Sequence, residues 1–157
     1  MNFKRKNNRL NRALYCQGRI YFITICCNNG ERLFVNPQLI NELLQELSEC
    51  CKLQGFTNYA YCFMPDHVHL LLGGEEGTDL VKLIKQFKQN TGYSFKKVKG
   101  NRLWQKSYYD HILRKEEDMV EVVRYILENP VRKGLSKQAE EYPFSGSLQF
   151  GKEIFKL

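Results

Sequence analysis

The segment Met64-Pro65-Asp66-His67-Val68-His69-Leu70-Leu71-Leu72 constrains this chain more than any other. A Pro-Asp connection followed by an apolar run reads as the start of a strand. In an extended strand, residues two apart point to the same face. His67 and His69 therefore project side by side, while Val68 and the leucines anchor the strand in a core. A lone histidine on an apolar strand is most often a packed core residue. Two at i and i+2 on a rigid strand hold a divalent metal at little ordering cost. The pair is expected to mark the functional site.

The flanking pattern sets the rest of the fold. Arg19 to Asn28 is rich in aromatic and β-branched residues and reads as a strand. Asn36-Pro37 supplies an N-cap and a first helical position, and Leu39, Ile40, Leu43, Leu44 and Leu47 form one apolar stripe of a helix that Gly55 ends. Phe56 to Met64 and His67 to Gly73 are the second and third strands. Thr78 is expected to cap a second helix with a buried Leu80, Val81, Leu83, Ile84, Phe87 face and Lys82, Lys85 and Lys88 opposite. A fourth strand falls near Leu103 to Arg114. Glu116, Glu117 and Asp118 open a third helix, which stops before Pro130. This order predicts an α+β, ferredoxin-like split βαβ sandwich: a four-stranded antiparallel sheet with two helices on one face, plus an added C-terminal helix. A single domain is expected over residues 15–147, between a flexible basic arm, 1–14, and a short tail, 148–157.

No apolar run approaches the roughly 20 residues that span a bilayer. The basic amino terminus lacks the apolar stretch of a signal peptide, so the chain is expected to be cytoplasmic. Six cysteines with no CxxC pair read as reduced thiols. The net charge of +7 is segregated. Residues 78–115 carry +8 and the first fourteen +5, which leaves −6 for the remainder. A basic middle and arm on an acidic body point to a polyanion partner, nucleic acid first.

The third helix carries Tyr125 and Asn129, four residues apart and so on one side. The apolar stripe is Met119, Val122, Val123, Ile126 and Leu127, and Tyr125 lies off it, free to reach a ligand. By itself it reads better as an ordinary surface tyrosine, one of nine in the chain, and Asn129 as a helix stop. With the histidine pair, the set has a use on nucleic acid. A metal held by His67, His69 and Asn129 would polarise a scissile phosphate, and the Tyr125 oxygen would attack phosphorus. Lys82, Lys85 and Lys88 would track phosphates. Trp104, with Tyr108 and Tyr109, would stack bases of a single strand, and Arg114 adds a further DNA contact. His111, with no partner nearby in sequence, reads as structural or as a phosphate donor.

Taken together, these segments resemble the REP-associated tyrosine transposases, a branch of the single-tyrosine HUH transposases. Met64 to Leu71 is similar to the family's HUH strand. Leu103-Trp104-Gln105-Lys106-Ser107-Tyr108-Tyr109-Asp110-His111-Ile112-Leu113-Arg114 resembles its fourth-strand block. Arg124-Tyr125-Ile126-Leu127-Glu128-Asn129-Pro130-Val131-Arg132-Lys133-Gly134-Leu135 resembles its tyrosine helix and exit, and Tyr142-Pro143-Phe144-Ser145 echoes an aromatic-Pro-aromatic-Ser turn. The likeness covers roughly residues 15–147. It implies that His67 and His69 bind Mg²⁺ or Mn²⁺, with Asn129 completing the metal site. It also implies that Tyr125 is the nucleophile forming a 5′-phosphotyrosine, and that the substrate is single-stranded DNA with hairpins. The related insertion-sequence branch usually has Gln where this chain has Asn129, which favours the REP-associated branch. Imidazole ligands suit Mn²⁺ better than Mg²⁺. The family includes homodimers that supply the tyrosine in trans and members that act as monomers, and the sequence does not choose.

The expected function is a metal-dependent single-stranded DNA endonuclease and strand transferase. The rivals are a non-catalytic single-stranded or hairpin DNA-binding protein of the same fold, a rolling-circle initiator or relaxase, and a metal-dependent hydrolase without nucleic acid. An intact His67, His69, Tyr125, Asn129 set argues against the first, the short chain against the second, and the +8 stretch against the third.

Overall fold

A computed structural model describes residues 18–114 and 117–157. The basic arm, 1–14, lies outside the described residues. Strand β1 is Ile20–Cys26, whose alternating β-branched and aromatic side chains suit a sheet covered on both faces. Helix α1, Pro37–Gln54, starts where expected: the Asn36 side chain accepts the Gln38 N–H at 3.0 Å, and Pro37 takes the first turn. It ends at Gly55, whose φ of 74° only glycine adopts without strain, and whose N–H returns to the Cys51 carbonyl. Strands β2, Phe56–Met64, and β3, His67–Gly74, form a hairpin across Pro65-Asp66.

Helix α2, Leu80–Lys99, is capped by Asp79, not by Thr78. The Asp79 carboxylate accepts the Lys82 N–H at 3.2 Å, whereas the Thr78 hydroxyl donates to the Glu75 carbonyl at 2.6 Å and closes the preceding turn. Strand β4 is Tyr109–Ile112, shorter than the expected Leu103–Arg114. Trp104 makes one isolated bridge to Cys27, and the Lys88 ammonium then gathers the carbonyls of Gln105, Lys106 and Ser107, at 2.7, 3.2 and 3.3 Å. Those carbonyls bind a side chain instead of a neighbouring strand.

Helix α3, Met119–Leu127, is capped by Asp118, which accepts the Val120 N–H at 2.8 Å. Helix α3 ends before Pro130, as expected. A further turn, α4, Asn129–Arg132, begins there because the missing N–H of proline costs nothing in a first turn.

With a short strand β5 at Ser145–Gly146, the sheet is antiparallel throughout, in the order β4-β1-β3-β2-β5. Its first four strands are the expected split βαβ sheet, and the fifth, β5, Ser145–Gly146, was not expected. Tyr142-Pro143-Phe144-Ser145 builds it: the Tyr142 hydroxyl donates to the Phe63 carbonyl at 2.7 Å, and the Phe63 N–H donates to the Phe144 carbonyl at 2.8 Å.

Both faces of the sheet are covered, because alternate residues of each inner strand are apolar on both sides. Ile23, Ile25, Val68, Leu70 and Leu72 pack under α1 and α2. Phe22, Cys62, Met64 and Leu71 pack under Val122, Val123, Ile126 and Leu127 of α3. The added helix thus closes the face opposite α1 and α2. The expected tail is part of that second layer: residues Gly151–Lys156 form a 3₁₀ turn that buries Ile154 in the α3 core. Among the described residues, no helix is long and apolar enough to cross a membrane.

Candidate active site on the α3 face

Strand register builds the site. Odd-numbered positions of β3 turn away from α1 and α2, so His67 and His69 join Leu71 on the face that α3 covers. Their rings meet edge to face with centroids 4.7 Å apart, and the two Nε2 atoms are 3.2 Å apart. Each outer nitrogen has its own partner. The Asp66 carboxylate accepts from His67 Nδ1 at 2.6 Å, and Thr24 Oγ1 lies 2.8 Å from His69 Nδ1. Thr24 stands directly across from His69 in the β1–β3 register.

These partners fix the chemistry of the inner nitrogens. When Asp66 and Thr24 Oγ1 accept the two Nδ1–H groups, both Nε2 atoms present lone pairs to one point; when the Thr24 hydroxyl donates instead, His69 Nε2–H is shared with His67 Nε2. Two lone pairs 3.2 Å apart repel unless a cation or a proton lies between them. Burial lowers the His69 pKa to about 3, helped by the charges of His67 and Arg132, so its imidazole stays neutral and ready to ligate. Nitrogens about 2.1 Å from one ion, at roughly a right angle, span this distance, so the pair fits a divalent metal. Among the described residues, no third His, Cys, Asp or Glu joins the pair.

The histidines and the tyrosine belong to one packed row. Phe22 stacks on His69 with centroids 5.3 Å apart and also meets the Tyr125 ring in a T-shaped contact at 6.1 Å. Tyr125 is half-buried against this core instead of projecting freely from the polar side of its helix. The reason is position: α3 lies flat on the sheet, so even the margin of its apolar stripe touches Phe22. Asn129 is buried at the start of α4, one turn beyond Tyr125. The Arg132 guanidinium sits 4.3 Å from the Tyr125 ring centroid.

The expected DNA contacts separate into two groups. Lys82, Lys85 and Arg114 are exposed. Lys88 is engaged with the 105–107 carbonyls and lies 5.9 Å from the Tyr108 ring centroid, so it holds a loop. Trp104 is corrected from a stacking platform to a core residue. It is 6% exposed, packed on Phe34 and Phe87, and its indole N–H donates to Thr91 Oγ1 at 2.8 Å. His111 pairs with the Glu117 carboxylate at 2.8 Å, which makes it a structural tie.

Four residues escaped the reading of the sequence: Thr24, Phe22, Asp66 and Arg132. Asp66 was legible as the neighbour of His67. Thr24 and Phe22 become visible only once the β1–β3 register is known. Burial pushes the Cys27, Cys50, Cys51 and Cys62 thiols up to about 12, which keeps these four protonated and poor nucleophiles.

A family described as Transposase IS200 like matches residues 16–129 and so ends at Asn129. A Haemophilus influenzae protein described as a candidate REP-associated tyrosine transposase is 26% identical over 147 residues, covering 83% of this chain and 81% of its own length. A REP-associated tyrosine transposase of Escherichia coli is 27% identical over 139 residues, covering 85% and 79%. The fold is shared with a REP-associated tyrosine transposase solved bound to a REP hairpin, at a TM-score of 0.71 and 24% identity over 92% of this chain and 82% of that one. With the match spanning residues 16–129 of the 157, this chain belongs to the IS200-like transposase family, enzymes that cleave DNA and transfer its strands.

Proposed function

We propose that the chain is a metal-dependent single-stranded DNA endonuclease and strand transferase that acts at hairpin-flanked sites through a 5′-phosphotyrosine on Tyr125. The observation that carries this reading is the continuous row His67, His69, Phe22, Tyr125 on one face of the sheet. His67, His69 and the Asn129 amide oxygen would hold Mg²⁺ or Mn²⁺, which would supply polarisation of the scissile phosphate. The Tyr125 oxygen attacks phosphorus as its phenolic proton leaves. The bond from phosphorus to the 3′ oxygen breaks, and that oxygen takes up a proton as a 3′ hydroxyl. A 3′ hydroxyl later attacks the phosphotyrosine and returns the phenol. One ester is exchanged for another, so no nucleotide energy source is needed.

The charge distribution supports a nucleic-acid substrate. Helix α2 has six lysines and no acid in twenty residues, and its exposed face runs from Lys82 and Lys85 to Tyr93, Lys96 and Lys97. That face lies on the opposite side of the sheet from Tyr125. DNA held by α2 and cut at Tyr125 passes round the sheet edge, as a hairpin stem with a single-stranded flank can do. The hairpin complex of the structural relative supports the same substrate class. Contact of Tyr125 with Phe22, which stacks on His69 of the same chain, supports a tyrosine acting in cis.

Incubation with Mn²⁺ and labelled single-stranded oligonucleotides bearing hairpins tests the reading. A covalent adduct mapped to Tyr125, lost in Tyr125→Phe and in EDTA while hairpin affinity persists, is the expected result. Tight hairpin binding with no adduct would leave a non-catalytic binder.

A further inference from the structure

We propose that Arg132 is the positioning residue for Tyr125: its guanidinium clamps the phenol ring and offsets the negative charge that gathers on its oxygen. The inference rests on the reading of Tyr125 as nucleophile. Arg132 lies seven residues after Tyr125, two helical turns on and therefore on the same side, carried past the Pro130 break by α4. It reaches back to the tyrosine in two ways. Its guanidinium carbon is 4.3 Å from the ring centroid, and Nη2 donates to the Tyr125 backbone carbonyl. Glu128 holds the other end of the fork, with an oxygen 3.7 Å from Nη1.

The phenol is thereby confined. Phe22 meets it edge-on at 6.1 Å from the sheet side, and the guanidinium lies over it. A surface arginine gripping only a terminal carbonyl would be an ordinary helix C-terminal contact. Such a contact does not require the ring, and here the same fork takes both the carbonyl and the ring of one residue. A cation over an aromatic face favours the ring more as negative charge grows on it. The tyrosine oxygen gathers such charge twice, when its proton leaves for attack and when it is expelled from the phosphotyrosine. One cation fixed beside it serves both directions of the exchange.

Arginine is suited to this and lysine is not. A planar guanidinium stacks on the ring while keeping donors for the carbonyl and the carboxylate, whereas an ammonium is a point charge that cannot do all three.

The test uses the full chain, Mn²⁺ and a labelled hairpin oligonucleotide with a single-stranded flank. It compares wild type, Arg132→Gln, Arg132→Lys and Tyr125→Phe. Three quantities are read: the single-turnover rate of covalent adduct at saturating protein, the hairpin Kd, and the thermal midpoint. Arg132→Gln is expected to slow adduct formation about tenfold or more at saturation, with Kd within about threefold of wild type. Arg132→Lys is expected to recover part of that rate, because it restores charge without the stack. An unchanged saturating rate with a weakened Kd would make Arg132 a phosphate contact and overturn the proposal. Equal loss in both variants, in step with a lowered midpoint, would overturn it as a purely structural effect. Absence of any Tyr125 adduct in wild type would remove the nucleophile reading and this inference with it. A normal adduct in wild type and in Arg132→Gln alike would remove this inference alone.

Discussion

Thr24→Val isolates the partner that readies His69 for a metal. Valine keeps the shape of threonine and deletes the oxygen that lies 2.8 Å from His69 Nδ1. His69 is 8% exposed, so water does not replace the lost partner. A buried ring nitrogen without a partner costs about 1–3 kcal/mol. In a chain of this length that lowers the thermal midpoint by about 2–12 °C. The protein has one escape: His69 changes tautomer, moves its proton to Nε2 and donates it to His67 Nε2, 3.2 Å away. That escape recovers stability by filling the lone pair that a metal needs. Whichever way the variant divides the cost, its affinity for metal falls, by about 10–100-fold as for other partners of metal-bound histidines. Calorimetric titration of Mn²⁺ into wild type, Thr24→Val and Thr24→Ser, with a thermal melt of each without metal, measures both parts. Thr24→Ser, which keeps the hydroxyl, is expected to bind like wild type. A Thr24→Val protein that binds Mn²⁺ within about twofold of wild type would refute the tautomer argument and its magnitude.

Two further outcomes follow from burial. Because burial holds the folded His69 pKa at about 3, below its ordinary value, the unfolded chain takes up a proton first as pH falls. Stability in EDTA is therefore present above about pH 6.5 and is lost towards pH 3, by up to about 1.4 kcal/mol per unit. Urea unfolding between pH 6.5 and 4.5 should show this slope in wild type and lose it in His69→Gln. Trp104→Phe is expected to cost about 1–3 kcal/mol, from lost packing on Phe34 and Phe87 and the lost bond to Thr91, while hairpin affinity stays unchanged. A fall in affinity with stability intact would return Trp104 to the DNA surface.

Much of the layout was legible because its signals are local. Asn36-Pro37, Gly55 and the leucine spacing between them define α1 through capping and backbone freedom within a single helix. The His-Val-His alternation carries its own geometry, since period two puts both imidazoles on one face whatever the strand pairs with. What was misread depends on partners far along the chain. Trp104 looks like a free aromatic until Thr91 and Phe87 arrive from α2, and Lys88 looks solvated until the 105–107 carbonyls curl over it. The fifth strand escaped because its two residues have no strand pattern of their own and exist through hydrogen bonds that Phe63 and Cys62 supply.

The sequence by itself determined the order of the first four strands and the three main helices, the paired imidazoles, the tyrosine helix and the positive charge of α2. Periodicity, caps and composition are properties of neighbouring residues, and they survive without any tertiary contact. The tertiary structure alone decided which face of the sheet receives α3. It brought Phe22 between Tyr125 and His69, set Thr24 against His69, and folded Arg132 back over the phenol. Each of those depends on strand register or helix docking. A one-residue slip of β1 would turn Thr24 and Phe22 to the other side of the sheet and leave the same sequence without its site.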